Sequence, residues 1–189
     1  MEEHRKKLIQ AAAGLYGIVH VRQLCDIVAH YTAEKPTRTQ LRALLEQEDW
    51  TPFRTEQGFI YRPDVFDSLQ GWDTVLRHAK NKPFWLPPLP EFLCYADLDH
   101  IPQNEAMQAL QQLFSEQIPD AEHLVKALYA DVRAGCGMGQ AMARMMDAGI
   151  RVDEEDMQRF GTLLAQLCNE THMFMNHGFA PEQLMRYPE

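Results

Sequence analysis

The sequence has no hydrophobic run long enough to form a membrane helix, which takes roughly 18 consecutive apolar residues. Its first five residues, Met-Glu-Glu-His-Arg, are charged and no apolar region follows them, so they do not resemble a signal peptide. A hydrophobic fraction of 46% is normal for a folded globular protein and argues against a disordered chain. We therefore expect a cytoplasmic globular protein without a membrane partner.

Cysteine is scarce, and no two cysteines are close enough in sequence to form a Cys-x-x-Cys pair. Structural zinc sites draw their ligands from such local pairs, and a disulfide framework is typical of small secreted domains. Free cysteine is among the most buried residue types. We expect buried or half-buried free thiols, without metal, at all four positions: Cys25, Cys94, Cys136 and Cys168.

Recognisable catalytic motifs are also lacking, including the Gly-x-Ser-x-Gly elbow of hydrolases. The glycine-rich segment 135–139 has no Gly-Lys-Ser/Thr after it, so it does not match a phosphate-binding loop. His172 and His177 are separated by five residues rather than four, and the Asp-Leu-Asp-His segment at 97–100 is typical of a solvated turn. The sequence predicts a protein that is not an enzyme and that holds no cofactor or metal.

Positive charge is scarce in the second half of the chain. The whole sequence has a net charge of −9. Residues 1–82 carry 12 Lys and Arg against 11 Asp and Glu, a net of +1, whereas residues 83–189 carry 6 against 16, a net of −10. Nucleic-acid binding requires a basic surface because phosphate neutralisation supplies much of the affinity. Only the first half can provide such a surface, and only through local clustering.

Residues 14–66 hold the clearest structural pattern in the sequence. Apolar residues at helical spacing predict one helix that ends near residue 16 and a second helix over residues 21–31. Ile18-Val19 favours a short strand between them. Thr37 and Gln40 have capping-box spacing at the start of a third helix, 37–48. Residues 53–55 and 59–61 are short β-rich segments, and Gly58 between them suits a tight hairpin. The order is that of a winged helix with a small β-hairpin wing.

Proline divides the chain. Four of the eleven prolines fall in residues 83–90, where regular helix is excluded, so we assign 1–82 to a winged-helix-like domain and 83–100 to a proline-rich linker packed on the protein. The alternative for this segment is an SH3-type ligand. Helical periodicity then dominates residues 101–189, which we expect to form a helical bundle of four or five helices. The predicted fold class is mainly α.

In a helix-turn-helix, the helix after the turn is presented to the partner. That helix is 37–48 here, and basic residues on it and on the wing form a candidate DNA-binding set: Lys35, Arg38, Thr39, Arg42, Arg54 and Arg62. Acidic residues near position 48 oppose this interpretation, and an ordinary solvated helix face used for protein contacts is equally compatible with the pattern.

Short segments across the chain resemble the helical N-terminal region of a group of bacterial proteins that often carry a C-terminal SEC-C motif, a small cysteine-rich zinc element. They include 15–19 (Leu-Tyr-Gly-Ile-Val), 61–63 (Tyr-Arg-Pro), 82–84 (Lys-Pro-Phe), 93–96 (Leu-Cys-Tyr-Ala) and 176–184 (Asn-His-Gly-Phe-Ala-Pro-Glu-Gln-Leu). This sequence contains no SEC-C element, so the resemblance implies a bacterial source and a shared architecture, and no zinc site.

Three functions are compatible with these features. The first is a DNA-binding regulator that acts through the winged helix. The second is a protein–protein adaptor whose acidic helical half binds a partner. The third is a small-molecule sensor whose helical half holds an apolar ligand among its methionines. Homodimer formation is compatible with each of them.

Overall fold

The computed structural model describes residues 2–32, 34–102, 104–151 and 153–185. The chain divides into two compact units, Met1–Ile101 and Pro102–Glu189. Residues 83–101, which include the predicted linker, are part of the first unit. Most of the described chain is helical and a small antiparallel sheet accompanies the helices, so the prediction of a mainly α protein is confirmed. No helix in the described ranges is both long and apolar enough to span a membrane.

The first unit begins with α1 (Glu2–Tyr16), whose inner face forms the centre of the core. Leu8, Ala12 and Leu15 are completely buried, as their three- and four-residue spacing predicts. Gly17 has a φ of +79° and ends the helix, and its N–H donates to the Ala13 carbonyl at 2.9 Å. The chain then enters β1 (Ile18–His20).

Two capped helices follow, α2 (Val21–Tyr31) and α3 (Arg38–Gln47). Thr37 forms the predicted capping box: its Oγ1 accepts from the Gln40 N–H at 3.2 Å, and Gln40 Oε1 accepts from the Thr37 N–H at 2.8 Å. His20 caps α2 in the same way, because its Nδ1 accepts from the Arg22 N–H at 3.2 Å. Leu41 and Leu45 bury the inner face of α3.

The sheet has the order β1, β3, β2, in which β2 (Arg54–Glu56) and β3 (Phe59–Tyr61) form the predicted hairpin. Strand β2 begins one residue later than predicted, because the Phe53 N–H donates to the Trp50 carbonyl at 2.7 Å in the preceding turn. Gln57 and Gly58 connect the strands with φ of 51° and 81°. A two-residue loop with two positive φ values is the type I′ geometry that matches strand twist.

After the hairpin, a 3-10 turn at Leu69–Trp72 leads into α4 (Asp73–Ala79). Helix α5 (Leu89–Cys94) begins inside the proline-rich segment with Pro90 in its first turn, where the missing N–H costs no hydrogen bond, so the exclusion of helix over 83–90 is wrong for the last two residues. The proline-rich segment packs on the unit through its carbonyl groups. The Tyr16 hydroxyl donates to the Trp85 carbonyl, and the Tyr31 hydroxyl donates to the Pro87 carbonyl, each at 2.8 Å. Helix α5 passes so close to α1 that a Cβ at Gly14 would overlap the Tyr95 carbonyl oxygen.

The second unit consists of helices: α6 (Glu105–Ser115), α7 (Ala121–Ala134), α8 (Met138–Asp147), α9 (Glu154–Glu170), a 3-10 turn at Phe174–Asn176 and α10 (Pro181–Leu184). The described residues after position 90 contain no strand, as expected from their helical periodicity. The core of the unit is apolar and includes Phe114, Leu128, Phe160 and Leu164, all of them at most 1% exposed.

All four cysteines are free thiols in the structure. Cys25 is buried, and Cys136 and Cys168 are half-buried, as predicted. The prediction of burial is wrong for Cys94, which is exposed at the last position of α5. Its thiol donates to the Pro90 carbonyl one turn earlier, at 3.3 Å, and Phe92 rather than Cys94 occupies the buried face of this short helix.

Candidate functional site

The outer face of α3 carries three of the predicted site residues. Arg38, Thr39 and Arg42 are exposed, opposite the buried Leu41 and Leu45. Arg38 and Arg42 are four residues apart, so they lie on the same side of the helix, one turn from each other. Within the described ranges, neither guanidinium forms a hydrogen bond or an ion pair, so both are available to an external anion.

The start of α2 contributes a third arginine, Arg22, to this surface. Helical periodicity in α3 cannot predict it, because Arg22 belongs to another helix. Burial, then the positive charges of Arg22, Arg42 and Arg38, lower the pKa of His20. The three arginines therefore lie close enough for their charges to act on one imidazole, and they are named here the cation cluster. Arg22 is exposed and, in the described structure, forms no side-chain hydrogen bond or ion pair. Only the tertiary packing of α2 against α3 brings it to the site.

The turn of the hairpin completes this surface. A Cβ placed on Gly58 would lie 3.4 Å from Arg42 Nη2 and 3.5 Å from His20 Nε2. The Gly58 carbonyl also accepts from the Val21 N–H at 2.8 Å, which ties the turn to the first residue of α2. The hairpin turn, the start of α2 and the outer face of α3 thus meet at one place.

Carboxylates border the cation cluster on one side. A shallow cleft of about 150 Å³ separates α3 from the hairpin, and its lining includes Arg42, Glu46, Glu56 and Gln57. Glu46 lies one turn after Arg42 on the same helix face. The positive potential is therefore concentrated toward the N-terminal end of α3 and falls off toward its C-terminal end.

Lys35 and Arg54 are exposed but engaged within the protein. Lys35 Nζ lies 2.9 Å from Asp26 Oδ1, and this hydrogen bond raises the pKa of Lys35. Arg54 Nη1 donates to the Asp67 carbonyl at 3.1 Å. Exposed pairs of this kind contribute little to stability, so either side chain can exchange its partner for a ligand at small cost.

Arg62 does not lie on the exposed wing, and the prediction that it does is wrong. Its side chain is buried and forms a bidentate pair with Asp64, at 3.0 Å from Nε to Oδ1 and 2.6 Å from Nη2 to Oδ2. Nη2 also donates to the Leu98 carbonyl at 3.1 Å. The Arg62 N–H donates to the Gly17 carbonyl, so the backbone continues the pairing of β3 with the N-terminal segment. Arg62 is a structural residue.

The histidines and acids considered as metal ligands, at 97–100, 172 and 177, lie outside the segments that carry the cation cluster. No group of three or more His, Cys, Asp and Glu residues in the described ranges is arranged to hold a metal ion. His172 Nδ1 donates to the Gly178 carbonyl at 2.7 Å, and burial is the main reason that its pKa falls to about 4. His172 is thus a neutral hydrogen-bond donor within the second unit.

Comparison of the chain with protein-family models, with curated proteins and with solved structures finds no match in any of the three.

Proposed function

We propose that the first unit is a winged-helix domain that binds duplex DNA, in a non-enzymatic cytoplasmic regulator of bacterial origin. The observation that carries the proposal is the pair Arg38 and Arg42, which lie one turn apart on the exposed face of α3 without a protein partner. An unpaired guanidinium keeps all of its donors available for phosphate or for the O6 and N7 acceptors of guanine.

The order of the elements supports one docking geometry. Helix α3 is the second helix of the α2–α3 pair, the position that enters the major groove in helix-turn-helix proteins. Arg38 and Thr39 lie in its first turn, where recognition helices contact base edges. Arg22, at the start of α2, and Arg54, on the hairpin, lie on the elements next to α3 and suit contacts with the phosphate backbone.

The charges limit the affinity. With phosphate contacts from Arg22, Arg38, Arg42 and Arg54, log K should fall against log salt with a slope of roughly −3 to −4. Residues 102–189 carry 6 Lys and Arg against 13 Asp and Glu, a net of −7, which opposes DNA approach. We therefore expect binding that is measurable at low salt and is lost steeply as salt increases.

The test is fluorescence anisotropy of the full chain with a labelled mixed-sequence duplex at low salt. Arg38→Ala and Arg42→Ala should each weaken binding while the circular dichroism spectrum stays unchanged. Arg159→Ala removes the same charge from an exposed position of α9 in the second unit and serves as the control. Absence of binding at micromolar protein, or equal weakening by all three substitutions, contradicts the proposal.

A second candidate function is a protein–protein adaptor that uses the same α3 surface. Glu46 and Glu56 beside Arg42 give this part of the surface both signs of charge, which suits a protein partner better than a phosphate backbone. If the adaptor function is correct, Glu46→Gln should weaken capture of the partner, whereas under the DNA hypothesis the same substitution should strengthen DNA binding.

A further inference from the structure

His20 uses one ring nitrogen inside the protein and leaves the other without a hydrogen-bond partner in the described ranges. Nδ1 accepts from the Arg22 N–H at 3.2 Å and so caps α2. Burial and the neighbouring arginines lower the pKa of His20, so the imidazole is neutral at neutral pH. In a neutral imidazole one nitrogen accepts and the other carries the proton. The capping bond therefore makes Nε2 the donor.

This free donor lies beside Arg42. The Cβ position of Gly58 is 3.4 Å from Arg42 Nη2 and 3.5 Å from His20 Nε2. The two nitrogens are therefore no more than about 7 Å apart, a separation that two oxygens of one phosphate group can span with hydrogen bonds of ordinary length. Arg42 is exposed and His20 is half-buried. Two N–H donors thus lie next to each other where the hairpin meets α2.

Several contacts hold the imidazole in this orientation. Its ring packs edge-to-face against Phe59, with the ring centroids 4.7 Å apart. The Gln23 side chain completes the cap, because its Oε1 accepts from the His20 N–H at 3.1 Å. The Gly58 carbonyl accepts from the Val21 N–H, which ties the hairpin turn to the residue after His20. A donor that is already held in place loses little conformational entropy when a ligand binds.

The charges that act on this imidazole favour an anion as its ligand. Among the described residues, those that shift the pKa of His20 through their charge are Arg22, Arg42 and Arg38, all positive. A guanidinium beside an N–H donor suits a group that has several acceptor oxygens and a negative charge. Three exposed guanidinium groups suit a row of backbone phosphates better than a single carboxylate.

We propose that His20 Nε2 donates a hydrogen bond to a phosphate group that Arg42 also binds, which is a backbone phosphate of DNA in the proposed function. The inference rests on that function and adds a neutral donor to its arginine contacts. A neutral imidazole replaces no counterion of DNA, so His20 contributes affinity without a change in salt dependence. This property distinguishes its contribution from that of each arginine.

The test compares two substitutions at opposite ends of α2. His20→Asn retains a residue that caps helices well, but the shorter side chain has no donor at the position of Nε2. His30→Asn is the matched control, because His30 is an exposed histidine in the last turn of the same helix. In anisotropy titrations of the full chain with mixed-sequence duplex, His20→Asn should weaken binding about tenfold, as expected for one hydrogen bond to a charged group. His30→Asn should change the affinity by less than about twofold.

The salt dependence of binding shows how His20 acts. The slope of log K against log salt should be the same for His20→Asn and the unsubstituted protein, because the number of neutralised phosphates does not change. A slope reduced by about 1 would mean that His20 binds as a cation, and it would contradict the neutral donor. Equal affinity of His20→Asn and His30→Asn would also overturn the inference.

NMR spectra of the full chain with ¹⁵N-labelled histidine test the hydrogen bond itself. The signals of His20 are those that His20→Asn lacks. In the free protein they should show the proton on Nε2, and a proton on Nδ1 would overturn the inference. The Nε2 signal should move when duplex is added, whereas the signals of His30 should stay in place.

Three salts identify the ligand chemistry without DNA. Sodium phosphate, acetate and chloride are added at equal ionic strength, and only phosphate should move the Nε2 signal of His20. An equal movement with acetate would indicate a carboxylate of a protein partner and would contradict the phosphate contact.

The two kinds of titration separate this inference from the proposed function. If the duplex binds but neither duplex nor phosphate moves the His20 signal, DNA binding stands and the role of His20 is wrong. If phosphate moves the signal but the duplex does not bind, the phosphate contact is supported and DNA binding is wrong. If neither the duplex binds nor phosphate moves the signal, both proposals are wrong.

Discussion

Gly58 lies against the guanidinium of Arg42: a Cβ at position 58 would be 3.4 Å from Arg42 Nη2. The same carbon would be 3.5 Å from His20 Nε2, so a Cβ would make ordinary van der Waals contacts where the hairpin turn meets α2 and α3. Its φ of 81° is a conformation that side chains of L residues rarely adopt. The positive φ, rather than a lack of space, therefore favours glycine at this position.

Gly58→Ala should destabilise the protein by about 1–2 kcal/mol, the cost of a left-handed conformation for a residue with a Cβ. Gly58→Asn should cost less, because asparagine tolerates this region more readily. Urea unfolding of both variants, followed by tryptophan fluorescence, measures the difference. Equal stability of the Ala variant and the unsubstituted protein would show that the turn does not require a positive φ.

Two glycines in helices should respond with opposite sign to the same substitution. In α1, a Cβ at Gly14 would overlap the Tyr95 carbonyl oxygen, a backbone atom that cannot move without displacing α5. Gly14→Ala should therefore destabilise the protein by several kcal/mol, as overpacking against a rigid neighbour does. In α9, a Cβ at Gly161 meets no atom within 4 Å, so Gly161→Ala should stabilise the protein by about 0.5–1 kcal/mol. Thermal unfolding of the two variants in parallel should show a lower Tm for Gly14→Ala and a higher Tm for Gly161→Ala than for the unsubstituted protein.

His172 should make the protein less stable in mild acid. Because its folded pKa is lowered to about 4 from the ordinary 6.5, the unfolded chain binds the proton more readily. The stability is complete above pH 6.5 and is lost as pH falls toward 4, by at most about 3 kcal/mol.

His172→Asn keeps a donor near the position of Nδ1 for the Gly178 carbonyl but cannot be protonated. The measurement is the difference in unfolding free energy between the unsubstituted protein and this variant at several pH values. That difference should change between pH 6.5 and 4 and stay constant from pH 6.5 to 8. A difference that does not depend on pH would contradict the lowered pKa of His172 in the folded protein.

Local sequence rules predicted the parts of the fold that local interactions determine. The capping box of Thr37 and Gln40, the buried stripe of α1 and the hairpin at Gly58 each depend on residues within a few positions of one another. Spacing therefore carries enough information to identify them.

The misplaced residues depend on contacts that are distant in sequence. Arg62 is buried and donates to the Leu98 carbonyl, 36 positions away, and Arg22 acts on the same surface as Arg42 because α2 packs against α3. Periodicity assigns a face to a residue only inside a regular element, and Arg62 follows the end of β3. The exposure of Cys94 has a similar origin, because a helix of six residues is too short for its apolar face to be read reliably.

Arg42 and Arg62 have the same side chain in different surroundings, so the pair tests the proposed DNA contact against a structural role. Arg62→Ala removes two hydrogen bonds to Asp64 and one to the Leu98 carbonyl, so it should destabilise the first unit by about 2 kcal/mol. Arg42→Ala removes an exposed side chain without a protein partner and should leave stability within about 0.5 kcal/mol of the unsubstituted value.

If the first unit binds DNA, Arg42→Ala should weaken that binding and Arg62→Ala should not, which is the reverse of their expected effects on stability. Arg42→Ala should reduce the slope of log K against log salt by about 1, because one phosphate contact is lost, whereas Arg62→Ala should leave the slope unchanged at temperatures where the variant is folded. Anisotropy titrations of both variants across a series of salt concentrations, with urea unfolding on the same samples, separate the two effects. A reduced slope for Arg62→Ala would mean that its guanidinium leaves Asp64 for DNA. An unchanged slope for Arg42→Ala would show that Arg42 on the outer face of α3 does not contact DNA phosphate, and would contradict the proposed mode of DNA binding.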